Sequence, residues 1–269
     1  MITARDLLVR GLLAGLLAGI ATFFVAYAVG EPSVGAAIAV EESGEHAADG
    51  HTHGSADAGS TDTGAAADDH EHGTEVPRSL QSTAGLATAT VVAGVTLGGL
   101  VGVVTALALG RFGRLGVRGT VLLVTGLGFV ATYVVPFLAY PPNPPAVGQA
   151  DTIGMRTALY FVLVAVSLVA GVTAVLVARR LAPRWGSWYA TLACGAAYAV
   201  VLGVTIALMP TYDEVPADFP ATVLYGFRRA SLLTQLTLWG VVGLATAELA
   251  HRLAMRGRQD TRPAELVGA

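Results

Sequence analysis

TALYFVLVAVSLVAGVTAVLVA, residues 157–178, is a run of 22 residues without a charged side chain. At 1.5 Å per residue a helix of this length reaches about 33 Å, enough to cross the roughly 30 Å hydrocarbon core of a bilayer. The stretch reads as a transmembrane helix. Outward from it, five more apolar segments of spanning length fall near 7–29, 83–109, 119–138, 188–209 and 230–250. The whole chain agrees: 269 residues, 54% hydrophobic and 13% charged, with a mean hydropathy of +0.62, are too apolar for an ordinary soluble domain. The expected fold is an all-α integral membrane protein of about six transmembrane helices in three outward hairpins, with a disordered His- and acid-rich outer loop.

The spans divide the chain into a first transmembrane helix within 1–30, an extracytoplasmic loop 31–82, a five-helix bundle 83–250 with proline-rich outer caps at 139–156 and 210–229, and an arginine-rich tail 251–269. Sorting the arginines by these loops puts Arg5, Arg10, Arg111, Arg114, Arg118, Arg179, Arg180, Arg184, Arg252, Arg256, Arg258 and Arg262 on one side. Only Arg78, Arg156, Arg228 and Arg229 fall on the other. By the positive-inside rule the larger set is cytoplasmic, so both termini are inside and the loop 31–82 is outside. The outer side carries fifteen of the nineteen carboxylates and a formal charge of −11 with neutral histidines, a field that concentrates divalent cations. Acidic outer loops also arise from topology and solubility alone. All the positive charge is arginine, which reads as the coding bias of a GC-rich prokaryote, so the membrane is that of a prokaryotic cell.

Gly11, Gly15 and Gly19 recur at four-residue spacing in the first span, and Gly94, Gly98 and Gly102 repeat the device in the second. Such faces allow a neighbouring backbone to approach closely and predict a compact bundle. Arg5 and Arg10 before an apolar core that ends in Ala26-Tyr27-Ala28 also fit a cleaved signal peptide, which would not need a glycine packing face.

Each outer connection is expected to begin near a proline that ends the ascending helix: Glu31-Pro32, Pro136 with the run from Tyr140 to Pro145, and Met209-Pro210. Each ends in arginine at the start of the descending helix: Arg78 before Gln81, Arg156, and Arg228 with Arg229 before Gln235. Arginine at a helix N-terminus opposes the macrodipole and needs local compensation. Glu75 for Arg78, Asp151 for Arg156, and Asp213, Glu214 or Asp218 for Arg228 and Arg229 are the candidates. With Gln81, Asn143 and Gln235 these groups predict a ring of ion pairs and amides around an outer vestibule; three unrelated structural salt bridges are the plainer alternative.

The outer loop carries His46, His51, His53, His70 and His72 among many carboxylates, and His51-Thr-His53 and His70-Glu-His72 each set two imidazoles within chelating reach. Imidazole and carboxylate are the ligand set shared by cobalt(II), nickel(II) and zinc, and bind them transiently on a flexible tract. Segment 32–46 has the spacing of a short surface helix that would gather Glu41, Glu42, Glu45 and His46 near Glu31. Residues 47–73 lack a large apolar side chain and are expected to be disordered without metal. Cys194 stands alone, so neither a disulfide nor a thiolate cage is available. No zinc-protease helix motif, phosphate-binding glycine loop or nucleophilic triad is present, no permanently bound cofactor is implied, and the chain does not read as an enzyme or a nucleic-acid binder.

Several outer stretches resemble one family. These are Glu31-Pro32 through Ala37-Ile38-Ala39-Val40-Glu41-Glu42, Val76-Pro77-Arg78-Ser79-Leu80-Gln81-Ser82, the run YPPNPPAVG at 140–148, Thr152-Ile153 with Arg156-Thr157, and MPTYDEVPADFPA at 209–221. They are similar to the CbtA-type cobalt transporter subunits. The resemblance implies a cobalt-uptake component linked with cobalamin synthesis, working with a small single-span His-rich membrane partner, CbtB. The expected function is a multi-pass subunit of a divalent-metal uptake system that gathers the ion on the outer loop and passes it to the bundle. The alternative is a non-transporting membrane-anchored binder or sensor of nickel, zinc or cobalt.

Overall fold

A computed structural model describes residues 3–49, 77, 80–111, 115–145, 147–148, 152–212 and 214–260, with backbone alone for 44–49, 81 and 257–260. Among the described residues the regular structure is all helical. Eight α-helices follow in order: α1 (Ala4–Val25), α2 (Glu31–Asp49), α3 (Leu86–Ala108), α4 (Val117–Phe129), α5 (Val135–Ala139), α6 (Ile153–Trp185), α7 (Ser187–Leu208) and α8 (Ala221–Asp260). Six continuous helical stretches among the described residues are long and apolar enough to cross a membrane: Ala4–Ser43, Ser82–Ala108, Val117–Ala139, Ile153–Trp185, Ser187–Leu208 and Ala221–Arg256. Each matches one of the six segments read from the sequence, which overrun it by a single residue at 109 and at 209.

Two of these stretches are joined through a π-helical turn, and that turn corrects the expected role of two prolines. Ala26–Gly30 links α1 to α2 without a break, so Pro32 does not end the first helix. In a regular helix a proline ring collides with the carbonyl four residues back and lacks the N–H that would bond it. Here the Glu31 N–H reaches the Ala26 carbonyl, and the widened turn takes up the ring. The second case has the same spacing: Val130–Val134 is a π turn, and Pro136 follows it by two residues inside α5. The carbonyl that Pro136 leaves unbonded is that of Thr132, and the Tyr160 hydroxyl donates to it at 2.9 Å. Pro141 and Pro210 behave as expected, each just beyond a C-cap, Tyr140 of α5 and Met209 of α7.

The strongest pairing is between α1 and α3. Their glycine faces are each other's partners. A methyl group on Gly11 would overlap the Gly98 carbonyl oxygen, and one on Gly15 that of Gly94, while one on Gly19 would stand 2.6 Å from Val91 Cα. Gly94, Gly98 and Gly102 are equally closed from the other side, by Gly15, Gly11 and Leu7 backbone. Helices held this close gain van der Waals contact without large side chains, the means of association that remains where lipid is as apolar as the chain.

The α8 helix lies against α1 and α4, and Leu7, Val101, Val121, Leu238, Val242 and Ala250 fill the junction. The α6 and α7 helices form a separate pair, joined by Gly186 alone, whose φ of 79° a residue with a side chain rarely adopts. Ser167 and Tyr198 share a hydrogen bond of 2.7 Å across that pair. It meets the remainder through α5 and the preceding π turn, where Val135, Leu163 and Leu202 cluster. The last two spans, α7 and α8, are consecutive in sequence yet do not pack along one another; α7 follows α6, and α8 follows α1 and α4. Large apolar side chains such as Phe24, Leu107, Phe161, Val169 and Leu208 project outward, more than half exposed. In lipid such faces need no partner.

Candidate functional site

The site begins with a stretch that cannot make regular structure. Tyr140 ends α5, and Pro141, Pro142, Pro144 and Pro145 have no N–H to donate, so from 141 to 145 Asn143 alone keeps a backbone donor. The Val147 N–H closes a turn on the Pro144 carbonyl at 3.0 Å, and Arg228 takes that of Pro142 at 3.4 Å. Gly148, with φ 145°, then turns the chain beside the Arg156–Glu214 pair. The Tyr140 hydroxyl donates to the Pro210 carbonyl at 2.8 Å, and its ring lies 6.3 Å from that of Tyr212. The two proline-rich caps are thereby tied to each other. Burial, with Tyr212 beside it, pushes the Tyr140 phenol above its ordinary pKa.

Two arginines reach this junction. Arg156, in the first turn of α6, pairs through Nη1 with Glu214 Oε2, while the Thr152 hydroxyl donates to Oε1. The carboxylate is thus engaged on both oxygens and only 4% exposed. A carboxylate from the other cap compensates Arg156 against the helix dipole, while Asp151, the carboxylate expected from its own loop, lies outside the described residues. Arg228 sits two turns into α8, because that helix starts at Ala221 rather than near 230. Its Nη2 donates to Asn143 Oδ1 at 3.1 Å, so a neutral amide and not Glu214 or Asp218 receives it, and Asp213, the third carboxylate expected, lies outside the described residues. Arg229, next to it, is exposed.

Between these groups lies a cavity of about 150 Å³ lined by Ala139, Tyr140, Pro141, Asn143, Arg156, Tyr212, Glu214, Val215 and Arg228. Below it Ser231 on α8 bonds Tyr133 at 3.0 Å, half-buried Gln235 follows one turn on, and Trp239 packs against Phe129. Arg228, Ser231, Gln235 and Trp239 recur at three- and four-residue spacing and so share one face of α8. At the other end of α8, Glu248 pairs with Arg118 of α4 and, at 2.8 Å, with Arg252.

Of the residues expected at a site, Asn143, Arg156, Glu214 and Arg228 meet around the cavity and Gln235 lies below it. Tyr140, Thr152 and Tyr212 complete the junction without having been singled out; the hydroxyl groups beside the proline runs were the available signal. His51, His53, His70, His72, Arg78 and Asp213 lie outside the described residues, as do the side chains of Glu45, His46 and Gln81. The helical expectation for 32–46 holds, but as a continuation of the first span and not as a separate surface helix. Glu31 is half-buried and Glu41 and Glu42 are exposed. Among the described residues no three His, Cys, Asp or Glu side chains converge as a metal site would need.

No curated protein and no solved structure matches this chain. A family model described as "Probable cobalt transporter subunit (CbtA)" does match, over residues 4–251, which takes in all six spanning helices and both proline-rich caps. The chain therefore belongs to the CbtA family of probable cobalt transporter subunits, a multi-span helical membrane protein with a transport role and not an enzyme.

Proposed function

We propose that this chain is the multi-pass subunit of a cobalt uptake system in a prokaryotic cell membrane, with both termini cytoplasmic and the His-rich loop outside. The family match over 4–251 carries this reading, because it covers the bundle and the caps together. The arginine distribution supports the orientation: twelve arginines on the side of the termini against four on the other. His46, His51, His53, His70 and His72, with Glu31, Glu41, Glu42 and Glu45, collect Co²⁺ from dilute solution and exchange it quickly, as an open set of imidazole and carboxylate ligands does. Such ligands hold nickel and copper at least as tightly, so preference for cobalt is set by geometry deeper in the path. The cap junction of Asn143, Arg156, Glu214 and Arg228, with Arg78, Gln81, Asp213 and Gln235 around it, forms the mouth. A small single-span His-rich membrane protein hands the ion over or couples its passage.

A second reading, a non-transporting membrane metal binder, is favoured by one observation. Among the described residues every ion pair lies near a helix end, and coupled transporters usually carry ionisable groups in mid-membrane. Radioactive cobalt uptake by cells expressing the chain with and without the small partner separates the two. Accumulation that requires the chain is expected; surface binding with no accumulation in either strain would remove the transport reading.

A further inference from the structure

The cap cavity has an imbalance that a cation mouth does not require. Among the described residues two guanidinium groups line it with one carboxylate, and both oxygens of that carboxylate, Glu214, are taken by Arg156 and Thr152. Arg228 is left with neutral acceptors alone among the described residues, the Pro142 carbonyl at 3.4 Å and Asn143 Oδ1 at 3.1 Å. The Nε of Arg156 is buried and has no partner among the described residues. A cation without a counter-charge is costly where water is scarce, and Arg228 carries that cost at this cavity. Among the described residues a free divalent cation placed here meets like charge and finds no open carboxylate oxygen.

We propose that the cap cavity is a binding site for a small oxyanion, a carboxylate or phosphate group held by Arg228 with the Arg156 guanidinium beside it. Planar guanidinium donors match the two oxygens of such a group, and charge-assisted bonds of this kind are among the stronger ones available. The volume of about 150 Å³ sets the size class: acetate or inorganic phosphate fits, whereas drug-sized ligands occupy pockets of roughly 300 Å³ or more. The site stands on the cap geometry and does not depend on the metal-uptake reading. If that reading also holds, an anion here neutralises the mouth through which the cation must pass.

The test uses the full chain purified in maltoside micelles, metal-stripped, in a buffer of a bulky sulfonate. Radiolabelled acetate should bind saturably and be displaced by inorganic phosphate. Arg228→Gln removes the main donor, and Asn143→Asp sets a fixed carboxylate against Arg228; each should weaken acetate binding by about tenfold or more. Both should keep the wild-type melting profile without acetate, and if Arg228→Gln fails to fold, Asn143→Asp alone decides. Absence of saturable acetate or phosphate binding in the wild type overturns the proposal, even if phosphatidylglycerol bilayers bind. So does acetate binding that Asn143→Asp leaves unchanged.

Discussion

Glu214 is the side chain on which the two caps depend most directly. It is almost wholly covered, it belongs to the loop before α8, and it bonds two residues at the start of α6. Removing one partner of a buried ion pair leaves the other charge without compensation, which costs more than the pair contributes when intact. Because Arg156 keeps 31% of its surface exposed, part of that cost is screened. Glu214→Gln is expected to lower stability by about 1–3 kcal/mol in thermal melting of the detergent-solubilised protein. A double-mutant cycle with Arg156→Gln should return a coupling of at least about 0.5 kcal/mol, and a coupling near zero would mean that the caps are held by other contacts. The sequence named both residues but matched them to other partners, since charge and spacing say which groups need compensation and not which loop supplies it.

At the scale of elements, the glycine faces of α1 and α3 were legible residue by residue, and the structure shows that each is the other's partner. Four-residue spacing puts Gly11, Gly15 and Gly19 on one line, as it does Gly94, Gly98 and Gly102, and each line closes on the other. Gly11→Ala and Gly98→Ala are expected to destabilise the protein by about 1–3 kcal/mol each, because the added carbon meets rigid backbone and the helices must separate. Gly240→Ala is the control, for nothing lies within 4 Å of the added carbon, and its melting midpoint should not fall. Equal effects at all three positions would refute the packing argument. The prolines were less legible. Pro32 and Pro136 both look like helix ends, yet each follows a π turn by two residues and the helix goes on. Whether a helix survives a proline depends on what bonds the freed carbonyl, and for Pro136 the donor is Tyr160, on a different helix.

For the whole molecule, the spatial order of the spans departs from their order in the chain. The α8 helix turns away from its sequence neighbour α7 to lie against α1 and α4, leaving α6 and α7 as a pair attached mainly near the caps. The caps therefore join the two parts, and a ligand in their cavity bears on both. The proposed collector is tested at the same scale. Imidazole ligates only when neutral, so uptake at low cobalt should weaken as pH falls through about 6.5, where free histidine gains its proton. Deleting residues 47–73 should remove that pH dependence and reduce uptake at low cobalt while sparing it at high cobalt, measured as initial rates of radioactive cobalt entry. Unchanged low-cobalt uptake would exclude the loop as a collector.

The six spans and the two glycine faces were determined by sequence alone, for a physical reason. Lipid imposes a length and a hydropathy on each span, and backbone contact imposes a spacing of small residues, so both constraints act within a single segment. What only the tertiary structure decided was partnership: Glu214 with Arg156, Asn143 with Arg228, Tyr160 with the carbonyl that Pro136 frees, and α8 with α1. Each of these joins segments far apart in the chain by polar groups or faces that have several acceptable partners, and the choice among them is made only when the helices pack.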